Sequence, residues 1–215
     1  MNKAVIFDLD GTLLHTIPDI TDNINLMLDK FGYARVSESD VRRFVGCGAR
    51  NLVKKCLPAD TTEQQLDERL AYYNEIYTAC GSPKTALFEG IDQVLREIKA
   101  RGYKIAILTN KPQQTTDRVY CEYLSEFVFD AVVGQSGTVK CKPNPKATFD
   151  ILSELGVQPQ DAYFVGDGET DVETAKNAGT KSIAVLWGYR DKEQLEKVGA
   201  TVFASTPKDL LKLIP

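Results

Sequence analysis

Histidine is nearly missing from this chain: there is one, His15, in 215 residues. That excludes zinc sites built on several imidazoles and leaves little scope for a histidine-based triad. The five cysteines (Cys47, Cys56, Cys80, Cys121, Cys141) are odd in number and never fall in a C-x-x-C pair. They read as reduced thiols of a cytoplasmic protein, with neither a disulfide framework nor a zinc site. No stretch approaches the roughly 20 apolar residues needed to span a bilayer. The apolar run before Asp8 is too short for a signal-peptide core, so no membrane partner is expected. A basic surplus is absent too: the formal net charge is -4, which argues against nucleic acid as a partner. What remains, 43% hydrophobic and 26% charged, is a globular composition, long enough for one large domain or a core with an insertion.

Val5-Ile6-Phe7 is apolar at successive positions, as in a parallel strand covered on both faces. Similar segments recur at 104–108, 162–165, 182–186 and 201–204, with a shorter one at 131–133. Helical patterns lie between them, such as Ile91, Val94, Leu95 and Ile98 before Gly102, and Pro112, Pro145 and Pro207 sit where a helix's first turn tolerates proline. Strands alternating with helices predict an α/β fold with a doubly wound parallel sheet. Residues 16–83 break the rhythm. Ile17, Ile20, Ile24, Met27, Leu28 and Phe31 recur at helical spacing, Ser37 is placed to cap a second helix, and 51–57 and 66–77 supply two more. An insertion of about 68 residues is too long for a loop. It predicts a small all-helical cap domain over 16–83, inserted after the first strand into an α/β core formed by 1–15 and 84–215.

The chemistry-bearing residues cluster in four short stretches. Asp8-Leu9-Asp10-Gly11-Thr12 follows the first strand; Thr109-Asn110 follows the next long one; Lys142-Pro143-Asn144-Pro145 precedes a helix; Gly166-Asp167-Gly168-Glu169-Thr170-Asp171 follows a third strand. Each alone has an ordinary reading as an acidic turn, a helix cap or a proline-stiffened surface lysine. Together they lie at the carboxyl edge of the sheet, where open α/β sheets bind ligands. Asp8, Asp10, Asp167 and Asp171 would then converge. A like-charge pair about 4 Å apart costs roughly 1–4 kcal/mol at effective dielectrics between 80 and 20. Such a cluster calls for a lysine, a retained proton or a hard divalent cation, and Mg²⁺ suits oxygen ligands.

In content and order these stretches resemble the haloacid dehalogenase-like hydrolase superfamily, in particular its phosphoglycolate-phosphatase-like branch with a helical cap. The resemblance covers nearly the whole chain and implies a Mg²⁺-dependent phosphatase acting on a small anionic phosphate monoester through an aspartyl-phosphate. On this reading Asp8 is the nucleophile and Asp10 the acid and base. Thr109, Asn110 and Lys142 hold the phosphoryl oxygens, with Thr109 and Lys142 counted as catalytic. Asp8, the Asp10 backbone carbonyl, Asp167 and Asp171 serve the metal. Asp10 argues against halide displacement, which needs no leaving-group acid. His15 departs from the pattern, since relatives often carry Asp there. Arg42, Arg43, Arg50, Lys54 and Lys55 surround the segment 45–49, which resembles a cap loop reaching over the active site; Arg43 and Arg50 are the first choices for substrate contact.

The same residues are compatible with a sugar-phosphate mutase or an inorganic pyrophosphatase. A receiver-like phosphate-binding module of the signalling type is a non-enzymatic alternative, but it would leave Asp10 without a role and the helical insertion unexplained. The expected partner is a small phosphorylated metabolite, and the chain is expected to be a monomer or homodimer.

Overall fold

The computed structural model describes residues 2–215. The chain opens with β1 (Ala4–Phe7) and the two-residue β2 (Leu14–His15), then enters four helices: α1 (Ile17–Lys30), α2 (Glu38–Phe44), α3 (Ala49–Cys56) and α4 (Glu63–Ala79). It returns through β3 (Ala86–Leu87) to α5 (Ile91–Ala100), β4 (Lys104–Pro112), α6 (Gln113–Tyr123) and β5 (Ala131–Gln135). Next come α7 (Lys146–Leu155), β6 (Ala162–Gly166), α8 (Glu169–Ala178) and β7 (Lys181–Val185). The chain closes with α9 (Lys192–Lys197), β8 (Phe203–Ala204) and α10 (Pro207–Leu213).

Six strands form one sheet in the order β5-β4-β1-β6-β7-β8, every neighbouring pair parallel. The alternation of side chains along β1 explains why it occupies the centre. Val5 and Phe7 pack with Ile91, Val94 and Leu95 of α5 and Val119 of α6 on one face. Ala4 and Ile6 pack with Ile151, Leu152 and Leu155 of α7 on the other. All four β1 side chains are wholly buried, and only a strand flanked by helices on both sides can bury both its faces. β1 pairs with β4 and with β6, so Asp8 and Asp167, which follow β1 and β6, and Thr109, near the end of β4, lie at one edge of the sheet.

The four helices between β2 and β3 have their own apolar cluster, centred on Ile20, Ile24, Met27, Leu28, Val41 and Val53. Ser37 caps α2 by accepting from the Asp40 backbone N–H, and Asp40 returns the bond to the Ser37 N–H. β2 and β3, which no periodicity announced, pair antiparallel where the chain leaves and re-enters the core. β4 runs to Pro112, four residues past the expected end, because Thr109, Asn110 and Lys111 are buried in the site rather than in the core. The last expected strand shortens to Phe203–Ala204.

Candidate active site

Asp8 leaves β1 with its backbone N–H donating to the Val165 carbonyl at 2.9 Å, which fixes it beside the end of β6. Gly11 then turns the chain at φ +89°, a left-handed conformation that glycine adopts without a steric penalty. A Cβ at Gly11 would overlap the Asp167 carboxylate, so the turn and the neighbouring acid are packed as one piece. Thr12 donates from Oγ1 to Asp167 Oδ1 at 3.0 Å, and the Tyr189 N–H donates to Asp167 Oδ2 at 2.8 Å. Both Asp167 oxygens are thereby oriented.

Lys142 is brought in by Asn110. The Lys142 N–H donates to Asn110 Oδ1 at 2.7 Å, and Asn110 Nδ2 donates to the Lys142 carbonyl at 3.2 Å and the Gly46 carbonyl at 2.9 Å. One amide side chain thus ties β4, the Lys142 loop and the segment before α3. The buried ammonium of Lys142 donates to Asp171 Oδ1 at 2.6 Å. It lies 2.8 Å from Asp8 Oδ1, close enough for an ion pair but out of line for a hydrogen bond, and that buried oxygen has no hydrogen-bond partner. The second Asp171 oxygen accepts the Gly168 N–H at 2.9 Å, at the start of α8.

Carboxylate oxygens of Asp8, Asp167 and Asp171 lie within 4.8 Å of one another, all buried. Burial raises the Asp8 carboxyl well above the usual range; Lys142 opposes this, while Asp171 adds repulsion. Burial likewise raises Asp167, reinforced by the charges of Asp8 and Asp171. For Lys142, burial alone would lower the pKa, but Asp171 and Asp8 together hold it above its ordinary value. One ammonium among three buried carboxylates leaves a deficit of positive charge. An all-oxygen donor set of three buried carboxylates, in which Asp8 Oδ1 faces only the Lys142 ammonium, fits a hard divalent cation.

The Asp10 carboxylate stands apart from this cluster. Lys111 Nζ donates to its Oδ1 at 3.0 Å and Oδ2 at 3.2 Å, and to the Tyr77 hydroxyl of α4 at 2.7 Å. Thr109 is buried beside the cluster, its hydroxyl accepting the Lys111 N–H at 3.3 Å. The resulting cleft, about 630 Å³ out to its mouth, has Asp8, Asp10, Thr109, Asn110, Asp167 and Asp171 on its floor. Its helical wall offers Ile20, Val45, Leu52, Tyr73 and Tyr77.

Two sequence expectations need correction. Arg43 pairs with Asp40 on the exposed side of α2, and Arg50 spans to Asp67 and to Glu63 Oε2, the latter at 2.6 Å. Neither side chain lines the cleft; acids on their own and neighbouring helices hold them outward, and α3 presents Gly48 and Ala49 instead. The cations near the cleft come from the core: Lys111, Lys142 and Arg190. Lys111, Tyr77 and Tyr189 were not singled out from the sequence, although Lys111 directly follows the Thr109-Asn110 pair.

The fold and this cluster define a class, and comparison with known proteins gives it a name. A family model described as haloacid dehalogenase-like hydrolase matches residues 5–185, and the chain belongs to that family. Among its curated relatives, the phosphoglycolate phosphatase of Rhodospirillum rubrum is 35% identical over 209 residues, covering 93% of this chain and 86% of its own. Phosphoglycolate phosphatase 1 of Pseudomonas aeruginosa is 32% identical over 214 residues, covering 97% and 78%. A haloacid dehalogenase-like family protein from Streptococcus pneumoniae shares the fold, with a TM-score of 0.88, 24% identity and coverage of 100% and 99%. The protein is a phosphatase enzyme. Among the described residues no helix is long and apolar enough to cross a membrane.

Proposed function

We propose that the protein is a Mg²⁺-dependent phosphatase of small anionic phosphate monoesters, 2-phosphoglycolate foremost, working through an aspartyl-phosphate. The observation that carries this reading is the convergence of Asp8, Lys142, Asp167 and Asp171 at one sheet edge, three buried carboxylates around one ammonium. Names borne by relatives that align along nearly the whole chain support the substrate class.

In this mechanism an Asp8 oxygen attacks phosphorus, forming the O–P bond as the bond to the substrate alkoxide breaks. The proton for that alkoxide comes from Asp10, which later takes one from the water that hydrolyses the phosphoenzyme. Thr109, the Asn110 N–H and Lys142 hold the phosphoryl oxygens while charge redistributes over them. Asp8, the Asp10 carbonyl and Asp167 would hold Mg²⁺, with Asp171 fixing Lys142 and the start of α8. Bound there, the cation supplies charge neutralisation for an anionic nucleophile approaching an anionic phosphate. Residues 16–83 act as the cap. The wall they offer to the cleft is apolar and aromatic.

Inorganic phosphate release from a panel of phosphate monoesters, with and without Mg²⁺, tests the reading. Asp8→Asn is expected to abolish release on every substrate, by at least ~10⁴-fold, because the nucleophile is gone. Full activity in that variant would overturn the assignment. Release without added sugar would separate a phosphatase from a mutase, and a pyrophosphate arm separates the third option.

A further inference from the structure

We propose that Lys111 is a positioning residue that aims the Asp10 carboxyl at the leaving group, and that Tyr77 lets the cap complete this arrangement. The proposal rests on the assignment of Asp10 as the acid given above. Asp10 is the one acidic side chain of the site that does not join the Asp8–Asp167–Asp171 cluster. Something must hold it away from the three other carboxylates, where an alkoxide would depart. Lys111 does this with its ammonium, which contacts both Asp10 oxygens, at 3.0 and 3.2 Å, and donates to the Tyr77 hydroxyl at 2.7 Å. The Asp10 carboxylate and the Tyr77 hydroxyl thus account for at least two of the three protons of the ammonium.

Lys111 itself has little freedom. Its side chain is 3% exposed, its backbone N–H is bound to Thr109 Oγ1, and its ammonium lies 4.6 Å from the centre of the Tyr77 ring. The arrangement serves both halves of the reaction, because a carboxyl carrying a proton on one oxygen still accepts from an ammonium at the other. Tyr77 belongs to α4 and Lys111 to β4, so the third contact exists only while the cap sits over the core. The Tyr77 contact therefore couples the position of the cap to the Lys111–Asp10 pair.

Positioning an acid matters only where the leaving group needs a proton, and that supplies the test. The value of kcat/KM covers the steps up to leaving-group departure and excludes later hydrolysis of the phosphoenzyme. It should be measured for 2-phosphoglycolate, which expels an alkoxide, and for 4-nitrophenyl phosphate, which expels a stable phenolate. Lys111→Met is expected to lower kcat/KM by ~10²-fold on the alkyl ester and by less than about threefold on the aryl ester. Lys111→Arg should restore part of the alkyl activity, and Tyr77→Phe should show a smaller loss with the same selectivity. Retained aryl turnover reports that each variant is folded. Asp10→Asn, run in parallel, separates the two claims. If Asp10→Asn is selective while Lys111→Met lowers both esters equally, or neither, the positioning role is wrong and the acid assignment stands. If Asp10→Asn spares the alkyl ester, the acid assignment falls and this proposal with it.

Discussion

Asp8 and Asp167 face each other across the end of two neighbouring strands, and the energetic consequence is visible in their proton affinities. Both carboxyl groups have folded pKa values raised from 3.8, to about 7 and about 8. The metal-free folded protein thus binds protons more tightly here than the unfolded chain does. Their stabilising contribution is complete below about pH 4 and is lost as the pH rises through about 7 to 8. The melting temperature of metal-free protein is expected to fall as the pH rises through this window. Added Mg²⁺ should recover stability, more at the alkaline end, where both groups are ionised. Asp167→Asn should flatten the pH slope. An unchanged slope in that variant would show that other groups set the dependence.

At the scale of elements, the decisive feature is how little room separates the loop after β1 from the loop after β6. Gly11→Ala must insert a methyl group into the Asp167 carboxylate while holding a positive φ. The expected result is at least a ~10²-fold loss of kcat, with weakened Mg²⁺ binding by calorimetry, because misplacing a reacting or ligating group by about 1 Å has that consequence. The strands themselves were readable from residue types, since burial on both faces leaves uninterrupted runs such as Val5-Ile6-Phe7. β2 and β3 were not readable: two residues carry no period. The Asp8, Lys142, Asp167 and Asp171 positions were legible because each follows a strand or opens a helix in a fixed order. Lys111 was not, because a lysine before a proline reads as a surface residue until β4 is seen to bury it. Arg50 misled for the opposite reason. Its partners Glu63 and Asp67 lie on the following helix, and no spacing within α3 reveals them.

For the whole molecule, the four-helix insertion and the core are tied together by side chains that cross between them. Tyr189, from the loop after β7, is buried in the cap's apolar cluster, and its hydroxyl accepts the Thr16 N–H at 2.9 Å. In the other direction, Arg42 of α2 donates from Nη2 to the Gly188 carbonyl at 2.6 Å and from Nε to the Tyr189 carbonyl at 3.3 Å. Arg190 returns to the cap, donating to the Arg42 carbonyl at 2.8 Å and the Val45 carbonyl at 2.6 Å. Arg42 is exposed and these bonds are at most partly buried, so solvent screening leaves each worth less than a buried charge-assisted bond. Arg42→Ala is expected to raise KM by roughly tenfold with a smaller change in kcat, since closure becomes harder while the floor of the cleft is untouched. Hydrogen exchange should quicken in α2 and α3 and remain slow in β1 and β6.

The central place of β1 also bears on how the polypeptide is made. Ala4 lies beside Lys104 on one side and beside Ala162 on the other. The strand that leads into Asp8 is therefore separated in sequence by 100 residues from one neighbour (4 to 104) and by 158 from the other (4 to 162). On the side that pairs with β6, its four residues stay unpaired until residues 162–165 have been translated. During that interval the nascent chain presents an open, sticky edge, the kind of surface that holdase chaperones shield.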